Sequence, residues 1–144
     1  MILVVDTNII FSAILTPEGT ISDLLLNSSD NFDFFSPNTI VGELEKHHQK
    51  LLKISRYSEK DLNFLKRILL KKLEIIDLES ISPMTWEKAI ELVKNVDESD
   101  APFVALSMEL DAALWTGDKN LTKGMIEKGV DWILNTNDVK EIRG

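Results

Sequence analysis

The sequence predicts an α/β fold with a mostly parallel central sheet covered by helices. Three observations carry that prediction. The chain opens with Ile2-Leu3-Val4-Val5, an unbroken aliphatic run of the kind that forms a strand buried on both faces. A second such run, Ala112 to Thr116, recurs towards the other end, and an acid follows each: Asp6 and Asp118. Between them, short apolar runs alternate with stretches of helical periodicity, the pattern of βαβ units. In open sheets of this kind ligands bind in the crevice beyond the carboxyl ends of the strands, so both acids are expected at one edge.

Taken in order, Asp6 suits a helix cap, and Thr7 to Leu15 reads as a helix with Ile9, Ile10, Ala13 and Ile14 on its apolar side. Thr16-Pro17-Glu18-Gly19 breaks it, and Thr20 caps a second short helix carrying Ile21, Leu24 and Leu25. A polar loop over 27–31 leads to a strand from Phe32 to Phe35. Ser36 as cap and Pro37 at the first helical position then predict one helix from Pro37 to about Lys53. Its apolar positions are Ile40, Val41, Leu44, Leu51 and Leu52, with His47 and His48 filling the missing turn.

Ser58 and Asp61 resemble a capping box for a helix that carries Leu62, Leu65, Ile68 and Leu69 inward. Lys60, Arg67 and Lys71 point outward from it. Leu73 to Leu78 reads as a third strand, and Ser82-Pro83 opens a helix whose core face is Trp86, Ala89, Ile90 and Val93. Pro102 fits only in a first turn, so the next helix starts near Glu98 or Ser99, with Asp97 and Asp100 flanking its N-terminus. After the strand at 112–116 come a helix from Leu121, a short segment around Trp132-Ile133-Leu134 and a polar terminal helix. Trp86, Trp115 and Trp132 are assigned to the core rather than to base stacking.

A chain of 144 residues with 44% hydrophobic and 28% charged content is expected to form one globular domain, 1–144. The absence of cysteine excludes disulfides, thiolate chemistry and Cys-ligated metals. No apolar run is long enough to span a bilayer and no basic region precedes the first strand, which gives a cytoplasmic expectation with no membrane partner. The net charge of −8 argues against a uniformly basic nucleic-acid binder, but the charge is unevenly spread. Residues 1–45 hold seven acids and no Lys or Arg, whereas residues 46–72 hold nine bases against two acids. That basic block is either the solvated face of two helices or a landing strip for a phosphate backbone beside an acidic site.

Four acids share one signature. Asp6 and Asp118 follow buried strands, Glu43 lies on or beside the inward stripe of its helix, and Asp100 stands at a helix start. Each also has a bland reading: Asp6, Asp100 and Asp118 as helix caps, Glu43 at the stripe's edge reaching water. Carboxylates sharing one crevice cannot all stay ionised unless a cation neutralises them, and hard ions such as Mg²⁺ and Mn²⁺ favour such oxygen ligands. A metal held this way suits phosphodiester hydrolysis.

Val5-Asp6-Thr7-Asn8, an inward Glu43, the run Asp100-Ala101-Pro102-Phe103-Val104-Ala105-Leu106 and finally Thr116-Gly117-Asp118-Lys119-Asn120 together resemble the PIN domain family. That family includes the VapC-type toxins of toxin–antitoxin pairs. The resemblance covers residues 2 to about 125. It implies a Rossmann-like α/β/α sandwich and a Mg²⁺- or Mn²⁺-dependent endoribonuclease acting on RNA. It further implies a catalytic, metal-binding quartet at Asp6, Glu43, Asp100 and Asp118, with Asp97 as an addition to or substitute for Asp100. An antitoxin protein and a second copy of the chain are the partners it suggests.

Asn8 and Thr116 are placed to hydrogen-bond the ligating carboxylates, and Asn120 to reach the metal or its water, with ordinary capping as the competing account of each. His47 is read as a structural histidine. Lys46, Lys50, Lys53 and Arg56 are the candidate RNA contacts. Two other Mg²⁺-using α/β classes fit less well: haloacid-type phosphatases want a second Asp where Asn8 stands, and receiver domains favour an acid where Val5 stands. The remaining alternative is a catalytically silent PIN fold that binds nucleic acid or protein, against which stands the full set of acids.

Overall fold

Leu3, Val4 and Val5 have no exposed surface because their strand is the middle one of a sheet covered on both faces. The computed structural model describes residues 1–144. The sheet has five parallel strands: β1 (Ile2–Val5), β2 (Asp33–Pro37), β3 (Leu73–Ile76), β4 (Ala113–Trp115) and β5 (Ile133–Leu134). Their order across the sheet is β3-β2-β1-β4-β5. The helices are α1 (Thr7–Leu15), α2 (Thr20–Asn27), α3 (Thr39–Lys46), α4 (His48–Ile54), α5 (Glu59–Lys71), α6 (Pro83–Val93), α7 (Ala101–Leu110), α8 (Lys119–Glu127) and α9 (Thr136–Arg143). The predicted α/β class with a parallel sheet is the class found.

The chain lays β1, β2 and β3 outward in one direction, then returns past β1 to add β4 and β5 on its other side. Successive strands therefore reverse direction of travel between β1 and β4, which is the switch point where an open parallel sheet leaves a crevice. α1 packs with α2, α3 and α5, while α7 lies against β1, β2 and β4 and packs on α6. Right-handed crossovers put these two groups on opposite faces, completing an α/β/α sandwich. The buried apolar side chains form one continuous cluster, with Trp115 and Phe103 the largest of those fully enclosed. At about 1.5–3 kcal/mol for each large aliphatic residue fully buried, β1 is anchored by Leu3, Val4 and Val5 alone to several kcal/mol.

Several local expectations are corrected. Pro37 does not start a helix: it is the last residue of β2, beside Ile76, where the missing N–H costs no ladder bond within the strand. Ser36 caps nothing, and its hydroxyl donates to the Val5 carbonyl at 2.5 Å. The helix expected over 37–53 is two helices, broken at His47, whose ring sits edge-on to Phe11 with centroids 5.3 Å apart. Thr20 is the first helical residue of α2, with Gly19 as its cap. Val41 and Ile90, assigned to core faces, are 43% and 54% exposed, because α3 and α6 bury narrower stripes than their apolar residues span. Ser58 does accept from the Asp61 N–H, whereas a reciprocal capping box forms instead at α9, between Asn135 and Asp138. Pro102 lies in the first turn of α7, as its ring requires, after a 3-10 turn over Glu98–Asp100. Trp115 is fully buried, and Trp86 and Trp132 are partly buried against the core.

No single helix is long and apolar enough to cross a membrane. α1 and α2 together carry enough apolar residues, but they meet at a 110° bend and bury them in the core.

Candidate metal centre

Three acids meet at the switch point. Carboxylate oxygens of Asp97, Asp100 and Asp118 all lie within 4.8 Å of one another. Asp118 follows β4 and caps α8 by accepting from the Leu121 N–H at 3.0 Å. Asp100 closes the 3-10 turn ahead of α7 and is only 8% exposed. Asp97 opens that turn, and its Oδ1 accepts from both the N–H and the hydroxyl of Ser99.

Asp6 faces the same cluster from the end of β1 and is 4% exposed. Its Oδ1 accepts from the Thr7 N–H and its Oδ2 from the Thr116 hydroxyl, both at 2.7 Å. Its backbone N–H donates to the Trp115 carbonyl, extending the β1–β4 ladder by one residue and fixing the acid at the lip of the crevice. Glu43 is half-buried on α3, close enough that its charge acts on Asp6.

The electrostatics of the cluster are uncompensated. Burial pushes the Asp6 carboxyl up to about 6, against the lowering effect of its bonds to Thr116 and Thr7, and the charges of Glu43 and Asp118 add to the rise. Burial likewise pushes Asp100 up to about 8, followed by the charges of Asp6, Asp97 and Asp118 and by hydrogen bonding to Asp97. The chain's ion pairs lie elsewhere, at His48–Glu59, Lys66–Glu45 and Arg143–Asp23, so no Lys or Arg neutralises these acids. Asp100 Oδ2 is buried and has no hydrogen-bond partner. A buried carboxylate oxygen without a donor is costly, and a bound cation removes that cost. The donors are all hard oxygens, the set that Mg²⁺ or Mn²⁺ prefers, and the residues present therefore fit such an ion.

Thr116 ties the crevice together. Besides donating to Asp6, its Oγ1 accepts from the Asp118 N–H at 3.0 Å and from the Asn8 amide at 3.5 Å. Asn8 makes no hydrogen bond to a carboxylate; its Oδ1 accepts from the Gly117 N–H at 3.1 Å and so braces the loop between β4 and α8. Asn120 is exposed on α8 and borders a cleft shared with Lys94, Asn95 and Val96. Lys46, Lys50, Lys53 and Arg56 are all exposed, Lys46 in the last turn of α3, Lys50 and Lys53 on α4 and Arg56 just beyond it. Lys50 lines a small cleft of about 160 Å³ with Phe11, Leu15, His47, Leu51 and Ile54.

Sequence reasoning missed a second buried polar group. His48, not His47, is the more buried histidine, and its ring joins Lys66 Nζ at 2.7 Å to Glu59 at 2.5 Å. Lys66 also donates to Glu45 at 3.2 Å. One signal was available: Lys66 sits four residues after Leu62 and three before Leu69, on the inward stripe of α5.

A carboxylate-lined crevice at the switch point of a parallel sheet defines an α/β protein whose acidic cluster offers oxygen donors alone. The PIN domain model matches residues 4–138, nearly the whole chain, and the chain belongs to the PIN domain family. Among solved structures it is similar to the crystal structure of VapBC2 from Rickettsia felis bound to a DNA fragment from their promoter. The match has a TM-score of 0.70 at 17% sequence identity and covers 94% of this chain and 98% of that one, a likeness of fold. No curated protein matches it in sequence.

Proposed function

We propose that the chain is a metal-dependent endoribonuclease, the toxin of a toxin–antitoxin pair, acting on RNA in the cytoplasm. The observation that carries the reading is the buried, partnerless Asp100 Oδ2 within a cluster of acids that no base neutralises. Membership of the PIN domain family and the likeness in fold to the VapBC2 structure support it. Mg²⁺ or Mn²⁺ bound there supplies charge neutralisation and an acidified water for in-line attack on a phosphodiester.

The chain's own residues do the rest. Asp6, Asp100 and Asp118, with Glu43 facing them, would hold the ion, and Asp97 would add a fifth carboxylate. Both oxygens of Asp6 are pinned, by Thr7 and Thr116, so the carboxylate meets the crevice in one orientation. Thr116 holds Asp118 through its backbone N–H, and Asn8 holds Gly117, which keeps the β4–α8 loop from drifting as charge builds up in the crevice. An antitoxin and a second copy of the chain belong to the same reading as its protein partners.

The test is cleavage of a mixed, end-labelled RNA pool with Mg²⁺, Mn²⁺ or EDTA, beside Asp6→Asn. Metal-dependent cutting that the substitution lowers at least about a hundredfold is expected, since even residues behind the ligands are worth 10–100-fold. No cutting, together with calorimetry showing no metal bound, would leave a binding module in place of the enzyme.

A further inference from the structure

We infer that the cleft between α8 and α9 is the subsite for the RNA strand next to the bond being cut, with Lys119 and Lys123 holding its phosphates. The inference rests on the nuclease reading above and extends it from the metal to the substrate. The cleft holds about 630 Å³, within the range of sites that take a ligand of nucleotide size. It begins where the metal centre ends. Thr116, the hydroxyl that positions Asp6, and Gly117, the residue before Asp118, form its near wall. A strand whose scissile phosphate sits at the acids must therefore send its next nucleotide past this opening or away from it.

The lining favours the first course. Lys119 and Lys123 are four residues apart in α8, so both ammonium groups project on one side of the helix, and both line the cleft. Both are exposed, and neither makes an ion pair or a hydrogen bond within the protein. Residues 73–144 carry fifteen acids against seven bases, so two unpaired lysines side by side here are against the local trend. Lys119 stands at the first position of α8, where the helix dipole disfavours a cation, so the fold itself gains nothing from it. A single carboxylate, Glu127, lines the cleft, one turn beyond Lys123 on α8.

The opposite wall supplies groups suited to a base or a ribose hydroxyl rather than to a phosphate. Asn135 spends its carbonyl oxygen on the Asp138 N–H and leaves its amide N–H₂ group free. Asn137 is exposed and has both donor and acceptor available, and Thr136 uses its hydroxyl oxygen only to accept from Trp115 Nε1. Ile126, 60% exposed, offers the cleft an apolar surface against which a base can lie. Positive charge on one side and amide edges on the other match a single-stranded nucleotide, whose base is unstacked and free to be read. The basic block on α3 and α4, by contrast, has no such polar wall in the cleft that Lys50 lines.

The experiment is fluorescence anisotropy with a labelled single-stranded oligoribonucleotide of mixed sequence. Asp6→Asn protein with Mg²⁺ is used so that the probe binds without being cut. Lys119→Ala/Lys123→Ala in that background is compared with Lys60→Ala/Lys71→Ala, two exposed lysines on α5, across a salt series. The α8 pair is expected to bind about tenfold more weakly at moderate salt, with the slope of log affinity against log salt falling by about 1.4, roughly 0.7 for each single-strand phosphate no longer neutralised. The α5 pair is expected to change neither. Unchanged affinity and slope in the α8 pair, with the parent binding normally, overturns the subsite and leaves the nuclease standing. A parent that neither binds nor cuts any RNA removes the nuclease and the subsite together. All four lysines are exposed, so thermal unfolding of each variant is expected to match the parent.

Discussion

The chain buries charge in two places, and it treats them in opposite ways. Around α4 and α5, Lys66 is 4% exposed yet meets His48 and Glu45, and His48 in turn meets Glu59. Each donor there faces an acceptor, and both glutamates keep one side in water. At the switch point, Asp6 and Asp100 are as deeply placed, but their neighbours are other acids, and one oxygen of Asp100 has no donor at all. Buried charge that is matched within the chain belongs to the architecture. Buried like charge left unmatched is a fold waiting for something from outside, and stability is what it gives up in the meantime.

The contrast is sharpest at Thr116, whose hydroxyl stands between two of the acids. Thr116→Val keeps the shape but removes both the bond to Asp6 and the acceptor for the Asp118 N–H. Metal affinity by calorimetry and cleavage rate are each expected to fall about 10–100-fold, with little change in secondary structure. The opposite result is expected at the matched site. Lys66→Ala should lower stability by about 2 kcal/mol in urea unfolding, below the value for a fully enclosed pair because both glutamates are largely exposed, and should leave metal binding unaltered.

The third effect is on pH. Asp6 and Asp100 have folded-state values of about 6 and about 8, above the value near 4 of an unfolded Asp. The native state thus binds more protons than the unfolded chain between those limits, so the metal-free protein should be most stable near pH 4 and lose stability as pH rises towards 8. Urea unfolding in EDTA at pH 5 and pH 8 measures this directly. Asp100→Asn, and separately an excess of Mg²⁺, should each flatten the dependence. A metal-free protein equally stable at both pH values would mean that burial and the neighbouring acids do not hold these two carboxyls above their ordinary values.

The fold was legible because the strongest signals were local. Ile2 to Val5 has no polar residue to offer an alternative to a doubly buried strand, and Pro102 fixes the start of α7 through its own ring. The positions of three acids were legible from marked element ends: Asp6 and Asp118 follow apolar strands, and Pro102 fixes the helix start beside Asp100. What could not be read was set by partners distant along the chain. Pro37 joins β2 because β3 lies beside it, and His48 turns inward because Lys66, eighteen residues on, is there to meet it. Asn8 looked like a neighbour of the carboxylates, but Gly117 takes its oxygen across 109 residues of sequence. Periodicity could likewise place Val41 and Ile90 on an apolar stripe without showing how wide a stripe the sheet would cover.

The position of β1 has a consequence in time. Asp6 is made more than a hundred residues before the strand beside it, β4, and the acid that faces it, Asp118. Closing so long a loop is slow in entropic terms, and the native partner on that side of β1 is β4. A ribosome-bound chain that ends short of Asp118 thus carries the first acid with no crevice around it. Whatever chemistry the finished molecule performs, its own nascent form is spared the means to perform it until Asp118 has been made and β4 has paired with β1.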